Sequence, residues 1–141
     1  MSYNANDKSS QNSANQLMII DDEKDLLFVY KSGLEIDGME ITTFDDPILA
    51  LKEFTKNSEK YCLVITDMRM PSISGYEIIN RFKDINPKIR VIMISAYNIT
   101  ENEIIQNLNP NIKIDRLIQK PITLENLRVI IEGIWKEYKN I

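Results

Sequence analysis

Short apolar runs alternate with longer amphipathic stretches along this chain. Four runs, at 17–20, 63–66, 91–94 and 117–119, are each followed or closed by a polar residue. Short apolar runs of this kind are typical of buried strands in a parallel sheet, whereas apolar residues spaced three and four apart predict helices. The alternation therefore predicts repeated strand-helix-strand units of an α/β fold.

The segments between the runs carry recognisable start and stop signals. The first helix is predicted over 24–36, with Gly38 closing it in the left-handed conformation. Residues 39–44 alternate and predict the second strand. Asp46 and Pro47 then begin a second helix, because Asp is a preferred N-cap and Pro suits the first helical position.

Three more helices complete the pattern. The third is predicted over 76–84, and Thr100 with Glu103 has the spacing of a capping box for the fourth. Thr123 caps the last helix. The apolar stripe of that helix consists of Leu124, Leu127, Ile131, Ile134 and Tyr138. Trp135 falls at the edge of the stripe, which indicates either the rim of the core or an anchor for a partner protein.

Five strands and five helices in alternation require a doubly wound sheet with helices on both faces, since the crossovers are right-handed. Residues 1–15 contain eight Asn or Ser residues and no apolar periodicity, so they predict a disordered tail. Residues 16–141 predict one domain, with no output domain after it.

Composition narrows the classes of function. The chain has 141 residues, 43% of them apolar and 27% charged, as expected for one globular domain. A net charge of -4 without a basic cluster argues against direct contact with nucleic acid. No apolar stretch reaches the roughly 18 residues of a membrane span, so we expect no membrane contact and a cytoplasmic location. Histidine is absent, which excludes Ser-His-Asp catalysis and histidine metal sites within the chain.

Polar residues of complementary chemistry follow the strands. Asp22, Asp67, Ser95 and Lys120 are separated by 45, 28 and 25 residues, and Asp21 precedes Asp22. Because parallel strands share one carboxyl edge, we expect these side chains to converge on one pocket. Alone, each acid is more simply explained as a turn former or helix cap.

Converging carboxylates repel one another, and a divalent cation removes that repulsion. Oxygen ligands favour Mg²⁺ or Mn²⁺ over zinc. Beside such a metal, the Asp67 carboxylate is a competent nucleophile towards phosphorus. The Lys120 ammonium and the Ser95 hydroxyl would then hold phosphoryl oxygens.

The sequence resembles the receiver domain of two-component response regulators, of the stand-alone CheY-like type, over about residues 16–141. The motifs that carry the resemblance are Asp21-Asp22, the segment 66–71 followed by Gly75, Ser95-Ala96 and Lys120-Pro121. The resemblance implies a flavodoxin-like sheet of order 2-1-3-4-5. It also implies a phosphoacceptor signalling protein rather than a metabolic enzyme.

Roles for the acidic residues follow from the resemblance. Asp67 would accept a phosphoryl group from the histidine of a sensor kinase or of a histidine phosphotransfer protein. Asp22, Asp67 and the main-chain carbonyl of Arg69 would bind Mg²⁺ directly, with Asp21 acting through water.

The resemblance further implies that Ser95 moves to meet the phosphoryl group and that Lys120 forms a salt bridge with it. The Lys120–Pro121 bond would be cis. Leu117 occupies the position where the family usually has an aromatic switch residue. Arg69 and Tyr97 would tune the lifetime of the phosphoryl group.

Output is expected through the face formed by helix 4, strand 5 and helix 5, by contact with a downstream protein or through a phosphorelay. A phosphorylation-dependent homodimer is compatible with the resemblance. Three alternatives compete with it. One is a haloacid-dehalogenase-like phosphohydrolase, which would need an acid where Arg69 stands. The others are a phosphorylation-independent interaction module and a flavodoxin-like electron carrier, whose first loop would need a phosphate-binding stretch.

Overall fold

The computed structural model describes residues 14–140 and shows a five-stranded parallel sheet of order β2-β1-β3-β4-β5. The strands are β1 (Gln16–Ile20), β2 (Glu40–Phe44), β3 (Tyr61–Asp67), β4 (Arg90–Ser95) and β5 (Arg116–Gln119). The predicted doubly wound, flavodoxin-like order is confirmed.

Helices cover both faces of the sheet. They are α1 (Lys24–Gly33), α2 (Pro47–Asn57), α3 (Gly75–Ile85), α4 (Glu101–Asn107) and α5 (Leu124–Lys139), with a short 3₁₀ turn at Ser58–Lys60. None of these helices combines the length and apolar character needed to cross a membrane.

The apolar strand runs arise because each central strand is buried on two sides. In β1, Leu17 and Ile19 pack in the cluster that includes α1 and α5, and Met18 and Ile20 pack in the cluster with α2, α3 and α4. All four side chains are almost completely buried. Two-sided burial replaces the polar alternation of a half-exposed strand with a continuous apolar run.

Side-chain caps fix where the helices begin. Asp46 accepts a hydrogen bond from the Ile48 N–H, and Thr123 accepts one from the Asn126 N–H. Thr100 forms the predicted capping box. Ser74 caps α3, so this helix begins at Gly75, one residue before the predicted start.

The predicted end of the first helix is wrong by three residues. Helix α1 ends at Gly33, because Leu34 adopts an extended conformation and its N–H donates to the Tyr30 carbonyl. The extended segment turns Leu34 and Ile36 into the core, where both are buried. Gly38 does have a left-handed φ of 79°, but in the turn before β2 rather than at the end of the helix.

The folded unit begins earlier than predicted. Ala14 is buried, and the Asn15 carbonyl accepts a hydrogen bond from the Glu40 N–H. The predicted tail therefore does not include Ala14 and Asn15, and the rest of that prediction, over 1–13, lies outside the described residues.

Trp135 belongs to the core rim and is not a free anchor for a partner. Its side chain is 8% exposed and packs with the α1 and α5 cluster. A Cβ atom on Gly38 would lie 2.9 Å from the indole ring, so the turn before β2 closes over this tryptophan.

Candidate functional site

Three carboxylates meet at the carboxyl edge of the sheet. Asp21 and Asp22 follow β1, and Asp67 ends the neighbouring β3. Each contributes an oxygen, and these atoms lie within 4.8 Å of one another. Asp21 is buried, Asp67 is half-buried and Asp22 is exposed, so the cluster opens to solvent on the Asp22 side. This placement follows from adjacent strand-end residues pointing to opposite sides.

Two carboxyl groups of this cluster, those of Asp67 and Asp21, are less stable in their ionised form than in water. Burial and, second to it, the nearby Asp21 carboxylate raise the pKa of Asp67 to about 6, against the opposing effects of Lys120 and the Met68 N–H. Burial also raises the pKa of Asp21. A divalent cation bound by these oxygens would relieve the repulsion, and an all-oxygen donor set fits Mg²⁺. The residues present therefore fit the metal that the sequence predicts.

Lys120 follows β5 and brings a positive charge to the same edge. Its Nζ atom lies 3.2 Å from Asp21 Oδ2 and 3.8 Å from Asp67 Oδ2. Its backbone N–H donates to the Ser95 carbonyl, which ties the end of β5 to the end of β4. Burial lowers the pKa of Lys120, but the Asp21 and Asp67 carboxylates outweigh this and raise it overall. Lys120 is thus a permanently charged neighbour of the Asp67 carboxylate. The Lys120–Pro121 bond is cis.

Ser95 ends β4 and is buried. Its hydroxyl oxygen accepts a hydrogen bond of 2.9 Å from the Tyr97 N–H and lies 4.0 Å from Met68 Sδ. Met68 in turn donates its N–H to Asp67 Oδ1 at 3.0 Å. One residue, Met68, therefore contacts both the serine hydroxyl and the central carboxylate.

Two further predicted residues pair at the surface. The Arg69 guanidinium lies 4.7 Å from the centre of the Tyr97 ring, a cation–π geometry. The pair joins the loop after β3 to the loop after β4. Leu117 lies on β5 and is 39% exposed, so it is partly open to solvent.

Two residues of the site carry roles that sequence reasoning missed. Glu23 Oε1 lies 3.1 Å from Lys120 Nζ, and the only signal for it was its place directly after the acidic pair. Gly75 approaches the backbone of Asp67 so closely that a Cβ atom there would lie 2.3 Å from the Asp67 carbonyl oxygen. The resemblance included Gly75, but nothing in the sequence indicated which atom it approaches.

Comparison with known proteins decides the family. Residues 17–132 match the sequence profile of the response regulator receiver domain. The chain belongs to this receiver domain family. Receiver domains are signalling modules of two-component systems and interact with histidine kinases or phosphotransfer proteins.

Individual relatives agree with the assignment. The chain is 32% identical over 111 residues to the response regulator SaeR of Staphylococcus epidermidis, covering 79% of this chain and 46% of SaeR. The chain spans about half the length of the first curated relatives it matches.

Solved structures of response regulators and their receiver domains are also similar to this chain. A receiver domain protein from Clostridium thermocellum is 31% identical with a TM-score of 0.75, over 89% of this chain and 97% of that one. The response regulator TrrA from Thermotoga maritima, solved with Mg²⁺ and BeF, is 25% identical with a TM-score of 0.70, over 85% of this chain and 98% of that one.

Proposed function

We propose that this receiver domain is a phosphoacceptor that takes a phosphoryl group on Asp67 from the histidine of a sensor kinase or of a histidine phosphotransfer protein. The observation that carries the proposal is the position of the Asp67 carboxylate, clustered with Asp21 and Asp22 and 3.8 Å from the Lys120 ammonium. This arrangement places a nucleophile where charge on an incoming phosphoryl group can be neutralised.

The transfer exchanges one bond for another. An Asp67 carboxylate oxygen attacks phosphorus, and an O–P bond forms as the N–P bond of phosphohistidine breaks. The electron pair of that bond returns to the imidazole nitrogen, and because the other ring nitrogen of the phosphohistidine is protonated, the donor leaves as a neutral ring and Asp67 becomes an acyl phosphate. In this step the protein is itself the modified product, as a signalling acceptor would be.

Three groups around Asp67 support the step. Asp22, Asp67 and the Arg69 carbonyl would hold Mg²⁺, with Asp21 acting through water. When bound, the metal supplies positive charge to a phosphoryl oxygen. Lys120 then forms a salt bridge with a second oxygen, for which its ammonium already lies at the right edge of the sheet. We assign the third oxygen to the Ser95 hydroxyl, which would give up its present contact with the Tyr97 N–H.

The signal would leave through α4, β5 and α5. Ile105 on α4 is 71% exposed and Leu117 on β5 is 39% exposed, so this face offers apolar contacts to a downstream protein. Leu117 would change rotamer when Ser95 moves, in place of the usual aromatic residue. The same face is available for a phosphorylation-dependent homodimer.

A mass measurement tests the proposed acceptor. We expect the protein, incubated with Mg²⁺ and acetyl phosphate, to gain the mass of one phosphoryl group. The gain should be lost when a chelator replaces Mg²⁺, and hydroxylamine should release it because acyl phosphates are labile to that reagent. Asp67→Asn should gain no mass. Its matched control is Asp84→Asn, which should still be modified on Asp67 because residue 84 lies on α3 and outside the acidic cluster. Absence of any gain in wild type, while a known receiver is labelled in the same tube, would refute the proposal.

The lifetime of the phosphoryl group tests the roles of Arg69 and Tyr97. Their cation–π contact lies over the loops that flank Asp67, so we expect it to limit attack by water on the acyl phosphate. An exposed contact of this kind is worth about 0.5–1 kcal/mol, so Arg69→Ala and Tyr97→Ala should each speed loss of the phosphoryl group about 2- to 5-fold.

The double variant of Arg69→Ala and Tyr97→Ala shows whether the two side chains act as one contact or separately. If the two side chains act together, combining the substitutions should add little to either one. Arg81→Ala removes another arginine, which pairs with Glu77 on α3, and serves as the control. Rates of loss equal to wild type in both single variants would exclude this role.

A further inference from the structure

Glu23 lies beside the acidic cluster without belonging to it. It is the residue before α1, but its side chain makes no capping hydrogen bond to that helix. Its backbone N–H donates to Asp21 Oδ1 at 2.9 Å, which fixes its main chain against the site. The carboxylate instead contacts Lys120.

The contact with Glu23 is the shortest ion pair of Lys120. Lys120 Nζ lies 3.1 Å from Glu23 Oε1, 3.2 Å from Asp21 Oδ2 and 3.8 Å from Asp67 Oδ2. An ammonium group has three N–H donors. In this arrangement two of them are directed to Glu23 and Asp21, and the carboxylate that accepts the phosphoryl group is the most distant of the three partners.

The two close partners of Lys120 differ in environment. The Asp21 side chain is 4% exposed, whereas the Glu23 side chain is 63% exposed. An exposed ion pair contributes little free energy and exchanges readily with water or another anion. The pair with Glu23 is therefore the one that an incoming phosphoryl oxygen can replace, while Asp21 keeps the ammonium at the edge of the sheet.

We propose that Glu23 is a positioning residue that holds Lys120 in the unmodified protein and competes with the phosphoryl group for its ammonium. This inference rests on the proposed function of Asp67. Binding of Lys120 to a phosphoryl oxygen requires the contact with Glu23 to break, so Glu23 opposes phosphoryl uptake. Removing its charge weakens the hold on one N–H of Lys120, which is then more easily given up to the phosphoryl group of the phosphodonor.

Glu23→Gln tests the competition, because it removes the charge and keeps the shape of the side chain. We expect phosphoryl uptake on Asp67 to be about 2- to 5-fold faster than in wild type at saturating Mg²⁺, the factor that corresponds to loss of one exposed ion pair. The measurement is the rate of mass gain with acetyl phosphate.

Asp25→Asn is the matched control. Asp25 lies in the first turn of α1 and the substitution removes the same charge two residues away. If phosphoryl uptake is faster in both variants, the shared part is due to the overall electrostatic field of the protein acting on an anionic phosphodonor. Repeating the rates with phosphoramidate, which carries less negative charge, separates the two causes, since a field effect shrinks with the charge of the donor and release of Lys120 does not.

The contact itself is tested without any phosphodonor. Glu23→Gln, Lys120→Met and the double variant form a cycle on thermal unfolding, and a real contact makes their shifts in Tm non-additive. Additive shifts, or uptake by Glu23→Gln equal to uptake by Asp25→Asn, would overturn the inference and leave the proposed function intact. Failure of wild type to take up a phosphoryl group would instead refute the proposed function.

Discussion

Asp67→Asn is expected to abolish phosphoryl uptake and at the same time to stabilise the metal-free protein at pH 7. Uptake is lost because an amide is not a competent nucleophile here. Stability rises because the folded state holds the Asp67 carboxyl at a pKa of about 6, above its ordinary value of 3.8, so ionising it costs the folded state free energy. That cost is about 3 kcal/mol at most, and loss of a partner for Lys120 reduces the gain to about 1–2 kcal/mol.

The pH dependence of this gain has a definite sign. The cost of the ionised carboxylate is fully present above pH 6 and is lost as the pH falls from 6 through 3.8, below which Asp67 is protonated in both the folded and the unfolded state. The difference in free energy of unfolding between Asp67→Asn and wild type should therefore shrink from pH 7 to pH 4. Urea unfolding with a chelator present measures it. A difference that grows on acidification, or a less stable variant at pH 7, would contradict the electrostatic argument.

The free energy that the ionised Asp67 carboxylate costs the folded state also explains why Mg²⁺ should stabilise this receiver domain. A cation that binds only the folded state raises its stability by mass action. We expect the gain to be much smaller in Asp67→Asn, because one ligand and one unfavourable charge are both removed.

Gly75→Ala is expected to have the second large effect. A Cβ atom at this position would lie 2.3 Å from the carbonyl oxygen of Asp67 and 3.1 Å from Met68 Cα. Both are backbone atoms, so no side-chain rotation relieves the clash. We expect a loss of about 1–3 kcal/mol in the free energy of unfolding, the usual result of overpacking, together with slower phosphoryl uptake because the Asp67 backbone must shift.

Gly133→Ala is the control for this substitution. Gly133 lies within α5, and nothing approaches within 4 Å of the position of its Cβ atom. Alanine there should stabilise the protein by about 0.5–1 kcal/mol through its higher helix propensity, and it should leave uptake unchanged. Equal stabilities of Gly75→Ala and wild type, by urea unfolding, would show that the loop after β3 can move without cost.

The sequence alone determined the fold class and the residues at the carboxyl edge of the sheet. Apolar runs separated by amphipathic stretches require a parallel α/β architecture, and in such a sheet Asp67 and Lys120 must emerge at one edge. Strand order was not contained in this periodicity. It came from the motifs shared with receiver domains, because periodicity describes each strand and not the neighbour with which it pairs.

The tertiary structure decided what the local patterns left open. Helix α1 ends at Gly33 because burial of Leu34 and Ile36 outweighs the continued helical pattern. Glu23 pairs with Lys120 although 97 positions separate them, and Gly75 touches the carbonyl of Asp67. Each of these contacts depends on how backbones from distant segments approach one another to within a few tenths of an ångström. Residue type and spacing specify which chemistry reaches the edge of the sheet, whereas packing specifies which groups are within bonding distance there.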